Sequence, residues 1–363
     1  MPNIWKWPFF RSLSEEAAVF RDQMAADVES GEILRRPRTL AALIEAHKRN
    51  RRRDWLYRLI DQPWLLPLTN FADLCQRAGD QIAEHGLFRG ARMEVDRFDI
   101  RLDVEVSDEA QRLFDSNEPF LLVGNHPCIW GPDFWAVAAS LENLCPQRDG
   151  LLLLMWTVVT ALCPGLAAYS EPVVVTSRDI ESFTHDQSGA SDNRTAGTES
   201  LFRSWSPDIP VAQTREQTYT ALHDMAQRWV DGEHVMIFPT GGAGTQALWF
   251  GGVGRVIRFA AEMMDDRTAT DPHILFFRLK GATDFLMLWP PLLSRWHPAR
   301  LVGCFFPRRI VVRYGETFRL RDQREEFLDM TNLSVARYFQ ERFDGAPPRP
   351  RRRSKSTKHR KTY

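Results

Sequence analysis

Cysteine is scarce in this chain of 363 residues. Cys75, Cys128, Cys145, Cys163 and Cys304 make an odd count with no CxxC pair. That argues against a disulfide framework and a zinc site, and for a reducing compartment. Long apolar runs are scarce too. Leu151–Tyr169 goes nineteen residues without a charge, which reaches the lower range for a membrane span. Its Pro164-Gly165 pair and two threonines favour a buried strand followed by a helix lying against a bilayer; a spanning helix is the alternative. Met1–Phe10 carries Pro8 and no long apolar core, so no signal peptide is expected. No internal repeat is visible. Net charge is absent as well: 47 Lys and Arg balance 47 Asp and Glu.

That zero hides an asymmetry. Residues 346–363 hold eight Lys and Arg and no carboxylate, leaving 39 basic against 47 acidic residues, about −8, in the remainder. A tail rich in proline and cations cannot bury a core, and disorder is expected there. It suits a solubilising role, anionic lipid head groups or an acidic partner such as acyl carrier protein. Phosphate backbones attract the same charges, but no interleaved aromatic residues support sequence readout, so no nucleic-acid partner is expected. Over the whole chain hydrophobic residues make up 44%, enough for autonomous folding.

The first 88 residues read as helical. Trp5, Trp7, Phe9 and Phe10 suit either a membrane interface or a staple onto the body. Ser12-Leu-Ser-Glu15 is a capping-box pattern that opens a helix to about Val28. Thr39–Arg53 forms a second helix, with Leu40, Leu43 and Ile44 on one face and a basic end. That end either complements the helix dipole or meets phosphate head groups. Phe71, Leu74, Cys75, Ala78 and Ile82 recur at helical spacing up to Gly86.

A sheet is expected to begin near Met93. Phe98, Ile100, Leu102, Val104 and Val106 alternate with charged residues, the mark of a half-buried strand. Ser107 caps a short helix. Phe120–Val123 is a short apolar run typical of a buried strand, broken at Gly124-Asn125-His126-Pro127. Gly131-Pro132 then opens a helix over Asp133–Ser140. A histidine therefore sits in a strand-to-helix loop, with a carboxylate in the next first turn. This suits a catalytic base and the acid that orients it; a loop histidine bound to the backbone has the same local pattern. Pro172–Thr176 reads as a strand delivering Arg178, residues 179–212 as a long insertion, and Thr214–Val230 as an amphipathic helix. Val235–Pro239 is a further strand, followed by Thr240-Gly241-Gly242-Ala243-Gly244-Thr245. After Trp249–Arg255 comes an apolar helix, Val256–Met264.

Four motifs in this order resemble those of the glycerolipid acyltransferases of the lysophosphatidate acyltransferase superfamily. They are Asn125-His126 with Asp133, the strand ending at Arg178, Phe238-Pro239-Thr240-Gly241, and the apolar segment Ile274–Pro291. The likeness covers about residues 90–300, and the order of four short motifs is its specific part. It departs from the pattern in placing six residues between His and Asp where four are usual. Thr240 stands where that family has glutamate, and Ala243-Gly244-Thr245 where Arg-Ser commonly follows.

The resemblance implies an α/β fold with a central mixed sheet flanked by helices over 89–345. A helical region precedes it at 1–88 and a disordered basic tail follows at 346–363. It implies a membrane-associated acyltransferase of phospholipid biosynthesis, cytoplasmic and peripheral on the inner face of a membrane. The acyl group would pass from acyl-CoA or acyl carrier protein to a hydroxyl or amine of a lipid acceptor, with no metal and no cofactor beyond that co-substrate. His126 would be the general base and Asp133 its orienting acid. Asn125, Arg178, Thr240, Gly241 and Gly242 would bind substrate, with Arg194 as an alternative to Arg178. Because Thr240 removes one charge and no cation follows it directly, a small or neutral acceptor head group is favoured over glycerol phosphate. Three other readings stay open: Cys128 as a nucleophile beside His126, Thr240–Gly244 as a nucleotide loop lacking the Walker lysine, and a non-catalytic lipid-binding protein on the same fold.

Overall fold

The computed structural model describes residues 8–32, 38–60, 71–127, 132–173, 211–240, 249–265, 270–282 and 308–345. Arg178, Gly241, Gly242, Cys128, Arg194 and the tail 346–363 lie outside them, as do residues 179–210 of the insertion expected over 179–212, whose last two residues instead begin a helix, Val211–Val230. A seven-stranded sheet forms the centre, in spatial order β1-β7-β6-β2-β5-β3-β4. The strands are β1 (Arg101–Val106), β2 (Phe120–Gly124), β3 (Leu152–Trp156), β4 (Ser170–Val173), β5 (Val235–Ile237), β6 (His273–Lys280) and β7 (Arg309–Arg319). Every pairing is parallel except β6 with β7, so the sheet is mixed, as expected for this α/β chain.

Alternation along β2 serves both faces. Phe120 and Leu122 join one core cluster, Leu121 and Val123 the other, and all are buried. A strand covered on both sides needs apolar residues at every position, which explains its unbroken run. The first cluster is closed by α4 (Phe71–His85), α5 (Leu87–Arg97), α6 (Asp108–Ser116) and α7 (Pro132–Leu144). The second is closed by α9 (Val211–Val230), α10 (Gly251–Met263), α11 (Arg324–Leu328) and α12 (Asn332–Phe343). From β2 the chain runs through α7 toward β3. From β5 it returns through α10 on the opposite face to reach β6. The connections thus diverge at β2 and β5, where an open α/β sheet leaves a crevice beyond the carboxyl ends of its strands.

The amino-terminal helices are α1 (Pro8–Glu29), α2 (Thr39–Arg53) and α3 (Trp55–Ile60). Arg38, at the start of α2, supplies no side-chain cap. Asp27 from α1 does so instead: its Oδ2 accepts from Arg38 N at 2.7 Å, Thr39 N at 2.9 Å and Thr39 Oγ1 at 2.8 Å. A buried carboxylate on a helix N-terminus is favoured both by the free amides and by the dipole. Phe20, Met24, Val28, Leu40 and Leu43 then pack on Ala161 and Leu162 of α8 (Thr157–Leu162). Because α8 directly follows β3, these helices stand at the carboxyl end of the parallel strands.

Several boundaries differ from the sequence reading. The sheet begins at Arg101, not near Met93, which lies within α5. Asp99 takes a left-handed φ of 53° after α5 and resets the chain, so Phe98 and Ile100 are buried without joining β1. The expected division at residue 88 falls inside α5, whose Leu87, Phe88, Ala91 and Val95 share one core with α7. The uncharged run 151–169 divides into β3, α8 and a 3-10 turn over Pro164–Tyr169. Gly165 in that turn lies so close to α4 that a Cβ would stand 2.0 Å from the Gly79 carbonyl oxygen. Among the described residues no helix is long and apolar enough to cross a membrane. The apolar helix after the glycine block starts at Gly251 rather than Val256. A Cβ at Gly254 would lie 1.9 Å from Asn332 O, so glycine is what lets α10 cross α12. Ser107 caps α6 as expected, accepting from Ala110 N at 3.2 Å.

Candidate functional site

β2 ends at Gly124, where a side chain cannot fit: a Cβ would stand 2.4 Å from Phe277 O. The next residue, Asn125, turns inward and is buried. Its Nδ2 donates to Leu279 O at 3.0 Å and its Oδ1 accepts from Leu279 N at 2.7 Å. The β2–β6 backbone ladder stops at the pair Gly124–Phe277. The amide of Asn125 therefore stands where the next peptide group would, holding the loop to β6 after the backbone has left it. This gives Asn125, expected to contact substrate, a positioning role.

His126 follows on the α7 face of the sheet. The expected contact with Asp133 is present: His126 Nδ1 and Asp133 Oδ2 are 2.5 Å apart. The intervening chain thus spans the longer spacing and still closes the pair. The Asp133 side chain is 0% exposed and that of His126 18%. Asp133 lies in the first turn of α7, and its Oδ1 accepts from Phe134 N at 2.7 Å. Backbone amides and the helix dipole both favour a negative charge there. With Nδ1 donating to that carboxylate, Nε2 is the ring nitrogen left to accept a proton. Nε2 has no partner among the described residues.

The third motif meets His126 from the neighbouring strand. β5 pairs with β2 in parallel through Val123–Ile237, so one step further Phe238 comes level with Gly124. Its ring stacks on the His126 imidazole, with centroids 4.2 Å apart and planes at 22°. Phe277 meets Phe238 edge-on at 5.8 Å and supports it from β6. Thr240, two residues on, is buried, and its Oγ1 has no hydrogen-bond partner among the described residues. Phe250 N donates to Pro239 O at 2.9 Å, so the chain is tied back to β5 after the glycine block.

Asn125, His126, Asp133 and Thr240 thus come from the carboxyl ends of two adjacent parallel strands and one helix N-terminus. No protein-family model matches this sequence, no curated protein matches it, and no solved structure matches its fold. The resemblance to the glycerolipid acyltransferases accordingly stands on the four motifs themselves. Among the described residues no group of three or more His, Cys, Asp or Glu side chains could hold a metal ion. The cations nearest in sequence to the third motif are engaged elsewhere. Arg255 lies over the Tyr219 ring at 5.6 Å, and Arg258 donates to Asn332 Oδ1 at 3.2 Å. Both belong to α10, on the face opposite His126.

Two residues of the site carried no role in the sequence reading. Phe238 belonged to a quoted motif, and parallel pairing of the two buried strands was the signal that would have set it beside His126. Leu279 acts through its backbone, for which the sequence holds no sign.

Proposed function

We propose that this protein transfers a fatty acyl group from a thioester, carried by coenzyme A or acyl carrier protein, to a hydroxyl or amine of a lipid acceptor. The observation that carries this reading is the 2.5 Å contact between His126 Nδ1 and the buried Asp133 carboxylate, beyond the carboxyl end of β2. A thioester is already activated, so the demanding step is to make a weak nucleophile attack. His126 Nε2 takes the acceptor's proton as the oxygen or nitrogen attacks the thioester carbon. The tetrahedral intermediate collapses, the carbon–sulfur bond breaks, and the same proton passes to the leaving thiolate. Asp133 fixes the imidazole tautomer and stabilises the imidazolium between those two transfers. Phe238 holds the ring plane. No acyl-enzyme is required, so no nucleophilic cysteine enters the scheme.

The acceptor in this reading has a small or neutral head group. Thr240 offers a buried hydroxyl without a partner among the described residues, which suits a hydrogen bond to an uncharged polar group. Arg255 and Arg258, turned to the other face, supply no phosphate clamp. The test is thiol release from acyl-CoA or acyl carrier protein by the purified chain, with neutral lipid alcohols, lipid amines and lysophosphatidate offered side by side. Acceptor-dependent release that falls at least about 100-fold in His126→Ala supports the reading. Release that His126→Ala leaves unchanged removes it.

A further inference from the structure

β1 and β4 are the two edges of the sheet. β4 is blunted by Pro172, which has no N–H to offer a neighbour. β1 has neither proline nor glycine, and its register with β7 runs unbroken from Arg101 to Val106. Edge strands are ordinarily shielded by such breaks, because free amides and carbonyls template further pairing. Arg101 N donates to Arg308 O at 2.8 Å and Ser107 N to Tyr314 O at 3.0 Å. Odd-numbered residues therefore address β7, and the backbone groups of Leu102, Val104 and Val106 point outward. No described strand lies beyond them. The next helix, α6, turns back over β7: Ser107 Oγ donates to Gly315 O at 2.8 Å, and Phe114 packs edge-on to Tyr314 at 5.2 Å.

The two faces of this edge differ. Arg101, Asp103 and Glu105 share the polar face, where Arg309 of β7 donates to Asp103 and Arg313 to Glu105. Leu102 and Val104 share the other face. They border a groove whose walls include Arg92 of α5 and Leu144 of α7. Val104 is 40% exposed, a large apolar side chain left in water at an open edge.

We propose that a second copy of this chain adds its own β1 here, about a twofold axis through Asp103. Twofold symmetry makes identical strands antiparallel and their contacts reciprocal. In this register Leu102 lies opposite Val104 of the second copy, and the two exchange both backbone hydrogen bonds, as outward-facing residues can. Arg101 lies opposite Glu105 of the second copy, and Glu105 opposite its Arg101. Apolar side chains thus meet on one face and opposite charges on the other. Asp103 meets its own copy on the axis, but each carboxylate is already held by Arg309 and by Arg101, the latter at 3.1 Å. A slide of two residues one way sets Asp103 against Glu105. The other way it sets Val104 against Ile100, whose N–H is committed to Val95 O at 3.1 Å. A slide of one reverses the faces. Each His126 site is complete in its own copy, so the pairing stands independently of the acyl-transfer reading.

The test is sedimentation velocity of the full chain over about 1–100 µM. An edge-strand contact belongs to the small end of protein interfaces, so a dimer that dissociates in the micromolar range is expected. Arg101→Glu turns both cross-strand charge pairs into two carboxylates, and Glu105→Arg turns both into two guanidinium groups. Each change alone raises the dissociation constant about 30-fold. Mixed in equal amounts, the two variants bring opposite charges together again, and a dimer of one copy of each returns with near-parent affinity. Val104→Lys sets a charge in the apolar row and weakens the dimer about tenfold or more. All three side chains are exposed, so thermal melts of the dilute variants are expected to stay near the parent value, which separates assembly from folding. A parent that stays monomeric over the whole range overturns the proposal, as do variants that dimerise like the parent. A mixture of Arg101→Glu and Glu105→Arg that remains monomeric overturns it too.

Discussion

Replacing Asn125 with alanine separates a substrate contact from a positioning clamp. The wild-type amide satisfies two backbone groups of buried Leu279, at 3.0 Å and 2.7 Å. Alanine leaves a buried N–H and a buried C=O without partners, and each orphan costs about 1–3 kcal/mol. The lower half of that range applies if water enters from the loop side, giving a loss of about 2–4 kcal/mol in all. Asn125→Asp retains an acceptor for Leu279 N but turns a carboxylate oxygen toward Leu279 O, so it is expected to lose at least as much near neutral pH. Urea unfolding of the full chain at fixed pH reads both. The clamp also predicts that transfer falls through misplacement of His126, with kcat lowered more than KM is raised. An Asn125→Ala protein of parent stability, whose defect appears wholly as a raised KM, would refute this reasoning and restore Asn125 as a substrate contact.

Three other outcomes follow from the same geometry. His234 is buried against the Phe120 ring at 3.9 Å, and desolvation, with a smaller effect of Arg148, lowers its pKa to about 3. In the unfolded chain it titrates near 6.5, so below that pH the unfolded state binds the extra proton. Stability is therefore full above about pH 6.5 and falls by about 1.4 kcal/mol for each unit of acidification toward the folded-state value. Denaturant titrations at pH 7.5 and 5.0 are expected to show this slope in the parent and a flatter one in His234→Phe; equal slopes contradict it. Phe238→Ala frees the His126 ring and is expected to cut transfer about tenfold, because the base then spends less time in line with the acceptor. Unchanged kcat in that variant would show that the stacking positions nothing. Asp27→Ala leaves the N-terminus of α2 uncapped and is expected to destabilise the chain by about 2–3 kcal/mol in thermal or urea unfolding, whereas a change within 0.5 kcal/mol would mean that water replaces the cap.

Legibility in the sequence followed the range of the interactions involved. β2, the break at Gly124 and helix α7 could all be read from neighbouring residues, because apolar runs, glycine and proline act locally. The His126–Asp133 pair could be anticipated for the same reason: both lie on one strand–loop–helix unit. The clamp made by Asn125 could not be read, since its partner Leu279 lies on β6, 154 residues away. Residues at the start of α10 looked like loop because glycine has low helix propensity. Close packing on Asn332 overrides that preference, and it becomes visible only once α12 is in place. The early start assigned to the sheet had a similar cause. Met93 and Val95 fit a strand pattern as well as a helix one, and only the left-handed turn at Asp99 divides α5 from β1.

The central claim is that His126 and Asp133 work as one unit in acyl transfer. Its most direct test is a double-mutant cycle on acceptor-dependent thiol release, using the parent, His126→Ala, Asp133→Asn and the double variant. If Asp133 acts only by orienting and stabilising the His126 imidazole, each single change lowers kcat at least about 100-fold, and the double variant is no slower than His126→Ala. Losses that multiply in the double variant, or an Asp133→Asn protein with the parent rate, would contradict the account.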